Sequence, residues 1–264
     1  MSDPRSTPNP YATPVPGTPE AQGQVIGAQR AALPSELGVK PDARLQRAFL
    51  TQAFVWMFVG LIVSAGVAFW VQTNENLLAF AANNYFLLII AQFALVLGIG
   101  FGIKKISATA ALGLFFIYAA SVGLTLGLIV TSYTLQANGD YSSVVSAFLS
   151  ASAVFGAAAI YGATTNRSLT GLGGILFIGL IGLLVAMVIN VFLGSDQLSW
   201  ILSIVGVIIF TALTAYDVQR IQNGDLAVWT GSMEKAAVLG ALNLYLDFLN
   251  LFLFFLRLFG GGRN

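Results

Sequence analysis

The sequence predicts an all-α integral membrane protein, a seven-transmembrane-helix bundle. Three observations predict it. Of 264 residues, 57% are hydrophobic and 9% charged, and the mean hydropathy is +0.82. A soluble domain carries about 25% charged residues, so this chain cannot solvate its own surface. Seven apolar runs follow one another after residue 48, each near the ~20 residues that let a helix cross a ~30 Å hydrocarbon core. The runs do not alternate in the way a membrane β-barrel requires.

Before the runs, all eight prolines lie between Pro4 and Pro41, among Thr, Ser, Gln and Gly. Too little apolar surface is available there to offset the entropy of ordering, so residues 1–43 are expected to be a disordered cytoplasmic tail. The stretch contains no apolar core of a signal peptide. Residues 44–264 form the transmembrane domain. Its runs are Phe49–Val71, Tyr85–Ile103, Ala108–Ser132, Val144–Ala163, Leu172–Leu193, Leu198–Ile221 and Ala236–Phe259. The first five contain no charged residue. Gly60, Gly66, Gly98, Gly113, Gly123, Gly127, Gly156 and Gly182 lie inside them, as expected where helices approach closely in lipid.

Basic residues set the orientation. Lys40, Arg44 and Arg47 precede the first span, Lys104 and Lys105 fill the second connection, Arg167 the fourth, and Arg220 and Lys235 flank the end of the sixth span. The first, third and fifth connections carry Glu75, Asp140 and Asp196 and no Lys or Arg. The N-terminus is therefore expected on the cytoplasmic side and, after seven crossings, the C-terminus outside. Arg257 and Arg263 sit against the rule at that end.

The chain has neither cysteine nor histidine, which excludes disulfides, thiol nucleophiles, Cys/His zinc sites and His-based triads. With a net charge of +1, nothing points to a nucleic-acid partner. Acid–base or ion chemistry falls to the carboxylates. Asp217 lies in the sixth run and Asp247 in the seventh. An Asp at the centre of a membrane helix costs roughly 2.5–3.5 kcal/mol on the insertion scale, and such residues mark partners, cavities or ion pathways. Asn243, Asp247, Asn250 and Arg257 fall on one stripe of a 3.6-residue helix whose other faces are Leu, Tyr and Phe. Such a helix belongs inside a bundle. Thr214 shares a face with Asp217, and Arg220 follows three residues later. Asp247 is ~18 Å along its helix from Lys235, so the two acids meet only if the last helix starts below the membrane surface. The connection QNGDLAVWTGSMEK permits this. The plainer readings stay open: Asp217 paired with Arg220 or a lysine at the interface, and Asp247 held by an Asn.

If the carboxylates are adjacent, each disfavours charge on the other and the pair holds a shared proton. Such a pair is a candidate pH switch, and its hard oxygens suit transient contact with Ca²⁺.

The segments FFIYAASVGLTLGLI, YGATTNRSLTGLGG, TALTAYDVQRIQNG and ALNLYLDFLNLFLFFLRLFG resemble the Bax inhibitor (transmembrane Bax inhibitor motif) family in its bacterial branch. The likeness covers about residues 44–260, and LYLDFLNLF is its most specific part. The resemblance implies a bundle wrapped around a central C-terminal helix, in the inner (plasma) membrane if the source is bacterial. It further implies a pH-sensitive Ca²⁺ leak governed by an aspartate pair matching Asp217 and Asp247. A basic latch at the end of the second span falls on Lys105, where arginine is expected; Lys104 and Arg220 are the neighbouring candidates. A lysine supplies a point charge without the bidentate fork. Ser168 stands where the family often has Asp.

The implied partners are the lipid bilayer, Ca²⁺ and H⁺. No resident cofactor and no enzymatic activity are expected. The competing class is a non-transporting regulator of membrane proteases or of cell-death and stress machinery, with a membrane-protein partner. An intramembrane aspartyl protease would need GxGD around its second Asp, and Asp247 follows Leu-Tyr-Leu. A retinal protein needs a lysine deep in the last span, and every lysine lies outside the runs.

Overall fold

The computed structural model describes residues 43–260. The tail expected over residues 1–43 lies outside the described residues, save for Ala43, where the first helix begins. The helices are α1 (Ala43–Thr73), α2 (Glu75–Asn83), α3 (Tyr85–Gly102), α4 (Ala108–Gln136), α5 (Ser142–Thr164), α6 (Gly173–Leu193), α7 (Asp196–Gln222), α8 (Asp225–Thr230) and α9 (Met233–Gly260), with a 3₁₀ turn at Thr170–Leu172. No strand occurs among the described residues.

Seven of these helices are long and apolar enough to cross a membrane: α1, α3, α4, α5, α6 with its 3₁₀ turn, α7 and α9. Each expected run lies on one of them to within a few residues. The starts follow local chemistry. Asn74, Ser107 and Ser195 precede α2, α4 and α7, and each accepts a bond from the backbone N–H three residues on. Two short helices lie inside segments expected only as connections. α2 occupies the first. α8 sits in the connection before α9, bracketed by Gly224 and Gly231 at φ of 79° and 71°, a left-handed region that suits glycine.

α9 is the axis of the molecule. The most apolar stretch of α9 is 72% buried, against 6% for α3 and 11% for α6. Large side chains such as Phe86, Phe101, Ile178 and Phe192 are exposed on the outer helices. In water such a surface would aggregate; in hydrocarbon it is the solvated face.

Small residues bring the inner helices together. A methyl at Gly123 would lie 2.6 Å from Val67 Cβ, and one at Gly127 2.6 Å from Val71 Cβ, so this i, i+4 pair of α4 lets the α1 backbone approach. Gly162 of α5 abuts the backbone of Ala215 in α7, and Gly206 of α7 abuts the ring of Phe254 in α9. Of the eight glycines expected at helix contacts, Gly60, Gly123 and Gly127 serve in that way. Gly66, Gly98, Gly113, Gly156 and Gly182 have nothing within 4 Å of an added Cβ. Composition alone does not separate a packed glycine from one on an open face.

The two ends of α9 reach opposite ends of the bundle. Near its start, Lys235 Nζ donates to the Lys104 carbonyl in the second connection, at 3.1 Å. Near its end, Ser143 Oγ donates to the Phe259 carbonyl at 3.4 Å, beside the third connection. α9 therefore crosses from the basic end, with Lys104, Lys105 and Arg220, to the end with Asp140.

Candidate functional site

α7 and α9 run antiparallel in one register. A methyl at Gly240 would lie 3.0 Å from the Ile221 side chain. One turn further in, Asn243 stands beside Asp217. The next turn places Thr214 beside Asp247. Beyond it, Phe254 packs on Phe210 and Gly206. Gly240, Asn243, Asp247 and Phe254 thus form the α9 stripe that meets α7, as the helical spacing requires.

The register brings the two acids to neighbouring turns of one seam. Asp217 stands opposite Asn243, and Asp247 follows four residues later, about 6 Å along the axis. Asp217 and Asp247 are 8% and 3% exposed and Thr214 is fully buried, whereas Asn243 is partly exposed. Asp247 Oδ2 is buried, and no hydrogen-bond partner for it occurs among the described residues. α9 begins seven residues before Gly240, whereas α7 ends one residue after Ile221, so the start of α9 reaches beyond the end of α7.

The remaining polar candidates separate. Asn250 turns to its own helix, donating to the Leu246 carbonyl at 2.7 Å. Among the latch candidates, Arg220 has its guanidinium 5.6 Å from the Tyr216 ring, on the helix that carries Asp217. The Lys104 ammonium lies 4.7 Å over the Trp229 ring of α8. Lys105 is exposed beside it.

Three residues that sequence reasoning passed over also organise the site. Gln219 is buried, accepts from the Leu169 N–H at 2.7 Å and donates to the Arg167 carbonyl at 2.9 Å. It ties the fourth connection to the stretch of α7 that carries Asp217. On the opposite side of α9, Ser64 of α1 and Tyr245 are joined through their hydroxyls at 2.6 Å. A lone hydroxyl in an apolar helix makes no polar stripe. The one available signal was that Tyr245 sits two positions before Asp247.

No group of three His, Cys, Asp or Glu gathers among the described residues. Asp217, Asp247, Asn243 and Thr214 together carry six side-chain oxygens, the lower limit of the six to eight that Ca²⁺ takes, and reach it only if both carboxylates bind through both oxygens. With single-oxygen contacts an ion here would keep part of its water.

Residues 46–264 match the profile of the family described as inhibitor of apoptosis-promoting Bax1. The chain is 42% identical over 231 residues to the inner membrane protein YbhL of Escherichia coli K12, covering 85% of this chain and 96% of that one. A protein of Borreliella burgdorferi is 38% identical over 230 residues, with 85% and 97% covered. A membrane protein of Streptococcus pyogenes is 38% identical over 211 residues, with 79% and 89% covered. A seven-helix bundle, a central last helix and these matches over nearly the whole described chain lead to one conclusion: the chain is an integral multi-pass membrane protein of the Bax inhibitor family.

Proposed function

We propose that this protein is a pH-sensitive Ca²⁺ leak pathway whose gate is the Asp217–Asp247 pair. The observation that carries the reading is two buried carboxylates on neighbouring turns of one interhelical seam, one of them with an oxygen for which no partner occurs among the described residues. Two buried charges on neighbouring turns repel, so the pair retains a shared proton until the pH rises far enough to remove it. The Thr214 hydroxyl supports this. Its oxygen lies 2.7 Å from the Phe210 carbonyl, which can only accept, so its single proton is committed there. It therefore offers no proton to a carboxylate at Asp247.

Loss of that proton places two anions in the seam, and separation of α7 from α9 relieves them by admitting water and a hydrated cation. Arg220, three residues after Asp217 on α7, marks the end of the seam near the basic side. The basic end faces the cytoplasm in this reading, by the positive-inside rule, and the membrane is the inner membrane, as named for YbhL.

The experiment is Ca²⁺ flux from proteoliposomes across pH 6 to 8, for the native chain, Asp217→Asn and Asp247→Asn. The native chain conducts with a pH dependence that either substitution flattens. Absence of flux, or an unchanged profile in both variants, contradicts the reading.

A further inference from the structure

The side of α9 turned away from the acids carries a second polar device. Tyr245 and Asp247 are two residues apart, so their side chains leave the helix ~200° apart. Asp247 faces α7. Tyr245 is fully buried, with its ring edge-on to Phe115 and Tyr118 of α4, at centroid distances of 5.6 and 5.7 Å.

The direction of its hydrogen bond follows from counting protons. Ser64 Oγ lies 2.7 Å from the Ala119 carbonyl of α4 and 3.0 Å from the Gly60 carbonyl of its own helix. Both carbonyls only accept, so the single Ser64 proton goes to them. The Tyr245 hydroxyl must therefore donate to Ser64. The relay runs from Tyr245 O–H to Ser64 O–H to the Ala119 carbonyl, and it joins α9, α1 and α4. Its reach depends on the glycine seam. Gly123 follows Ala119 by one turn, and a methyl there would lie 2.7 Å from the Ser64 carbonyl oxygen. Close approach of α4 to α1 brings Ala119 within reach of Ser64.

We infer that Tyr245 and Ser64 are positioning residues that fix the rotation of α9 and so hold Asp247 against α7. Any turn of α9 that swings Asp247 out of its seam pulls Tyr245 off Ser64 and leaves a buried hydroxyl unpaired. This inference rests on the carboxylate pair as the gate for its functional meaning, and on packing alone for its geometry.

The absence of cysteine gives a clean background for a direct test. Ile221→Cys with Gly240→Cys places two thiols across the α7–α9 seam, where the Ile221 side chain now lies 3.0 Å from a Cβ at position 240. Disulfide formation in membranes under mild oxidant is followed in this pair alone and with Tyr245→Phe, Ser64→Ala or both. Tyr245→Phe slows it about threefold to tenfold. Ser64→Ala, which leaves the tyrosine hydroxyl unpaired, slows it at least as much, and the combined variant is no slower than Ser64→Ala. Gln92→Leu, which removes donation to the Ser121 carbonyl between α3 and α4 without touching α9, leaves the rate unchanged. Unchanged rates in both Tyr245→Phe and Ser64→Ala overturn the inference, as does an equal slowing in Gln92→Leu. If Ser64→Ala fails to insert, Tyr245→Phe, which removes one oxygen, decides alone. Ca²⁺ flux read in parallel separates the two ideas. A native chain with no flux sinks the leak reading while the disulfide rates still decide the relay.

Discussion

At the residue scale the seam sets an unusual balance for Asp247. A carboxylate buried with an unpartnered oxygen opposes folding when charged, so replacing it with a neutral group of the same shape removes a cost. Asp247→Asn is expected to melt in detergent at or above the native temperature, by up to about 1 kcal/mol, while losing the pH response of flux. A clear drop in melting temperature would mean that the carboxylate is held by bonds the neutral amide cannot replace. These two acids were legible in the sequence because charge is so rare in the spans. Their meeting was legible only as a condition on where the last helix begins. Arg220, three residues from Asp217 in the chain, was also readable. The Gln219 bridge and the Ser64–Tyr245 pair were not, because each joins positions 50 or more residues apart and interrupts no apolar pattern.

At the element scale the contacts between helices are made by chosen small residues. Gly123→Ala is expected to destabilise the bundle by about 1–3 kcal/mol, because Val67 and the Ser64 carbonyl leave no room for a methyl. Gly113→Ala meets open space, and the gain in helix propensity, up to about 1 kcal/mol, should appear as an equal or higher melting temperature. Thermal unfolding of the two variants side by side checks the contrast, and equal effects would contradict the assigned seam. Span positions could be read from hydropathy because length and apolarity both follow from bilayer thickness. α2 and α8 escaped that reading: a helix of nine or six residues between spans leaves no long apolar run. Gln219→Leu should loosen the fourth connection, seen as faster hydrogen exchange at Leu169, whose N–H it now holds.

At the scale of the whole molecule, α9 passes through a ring of lipid-facing helices, and its two ends meet opposite ends of the bundle. Membrane sidedness is checked by single cysteines in the cysteine-free chain. With the basic end in the cytoplasm, Cys at Lys105 or Arg167 should react only from inside, and Cys at Asp140 or Asp196 only from outside. The reverse pattern would invert the direction in which the pair senses protons. The measurement that reaches the central claim most directly is infrared difference spectroscopy of membranes shifted between pH 6 and 8. The account predicts a protonated carboxyl band that disappears as the pH rises, across the range in which Ca²⁺ flux changes, and that is lost in both Asp217→Asn and Asp247→Asn. A band that persists in both variants, or no protonated carboxyl at any pH in that range, would contradict it.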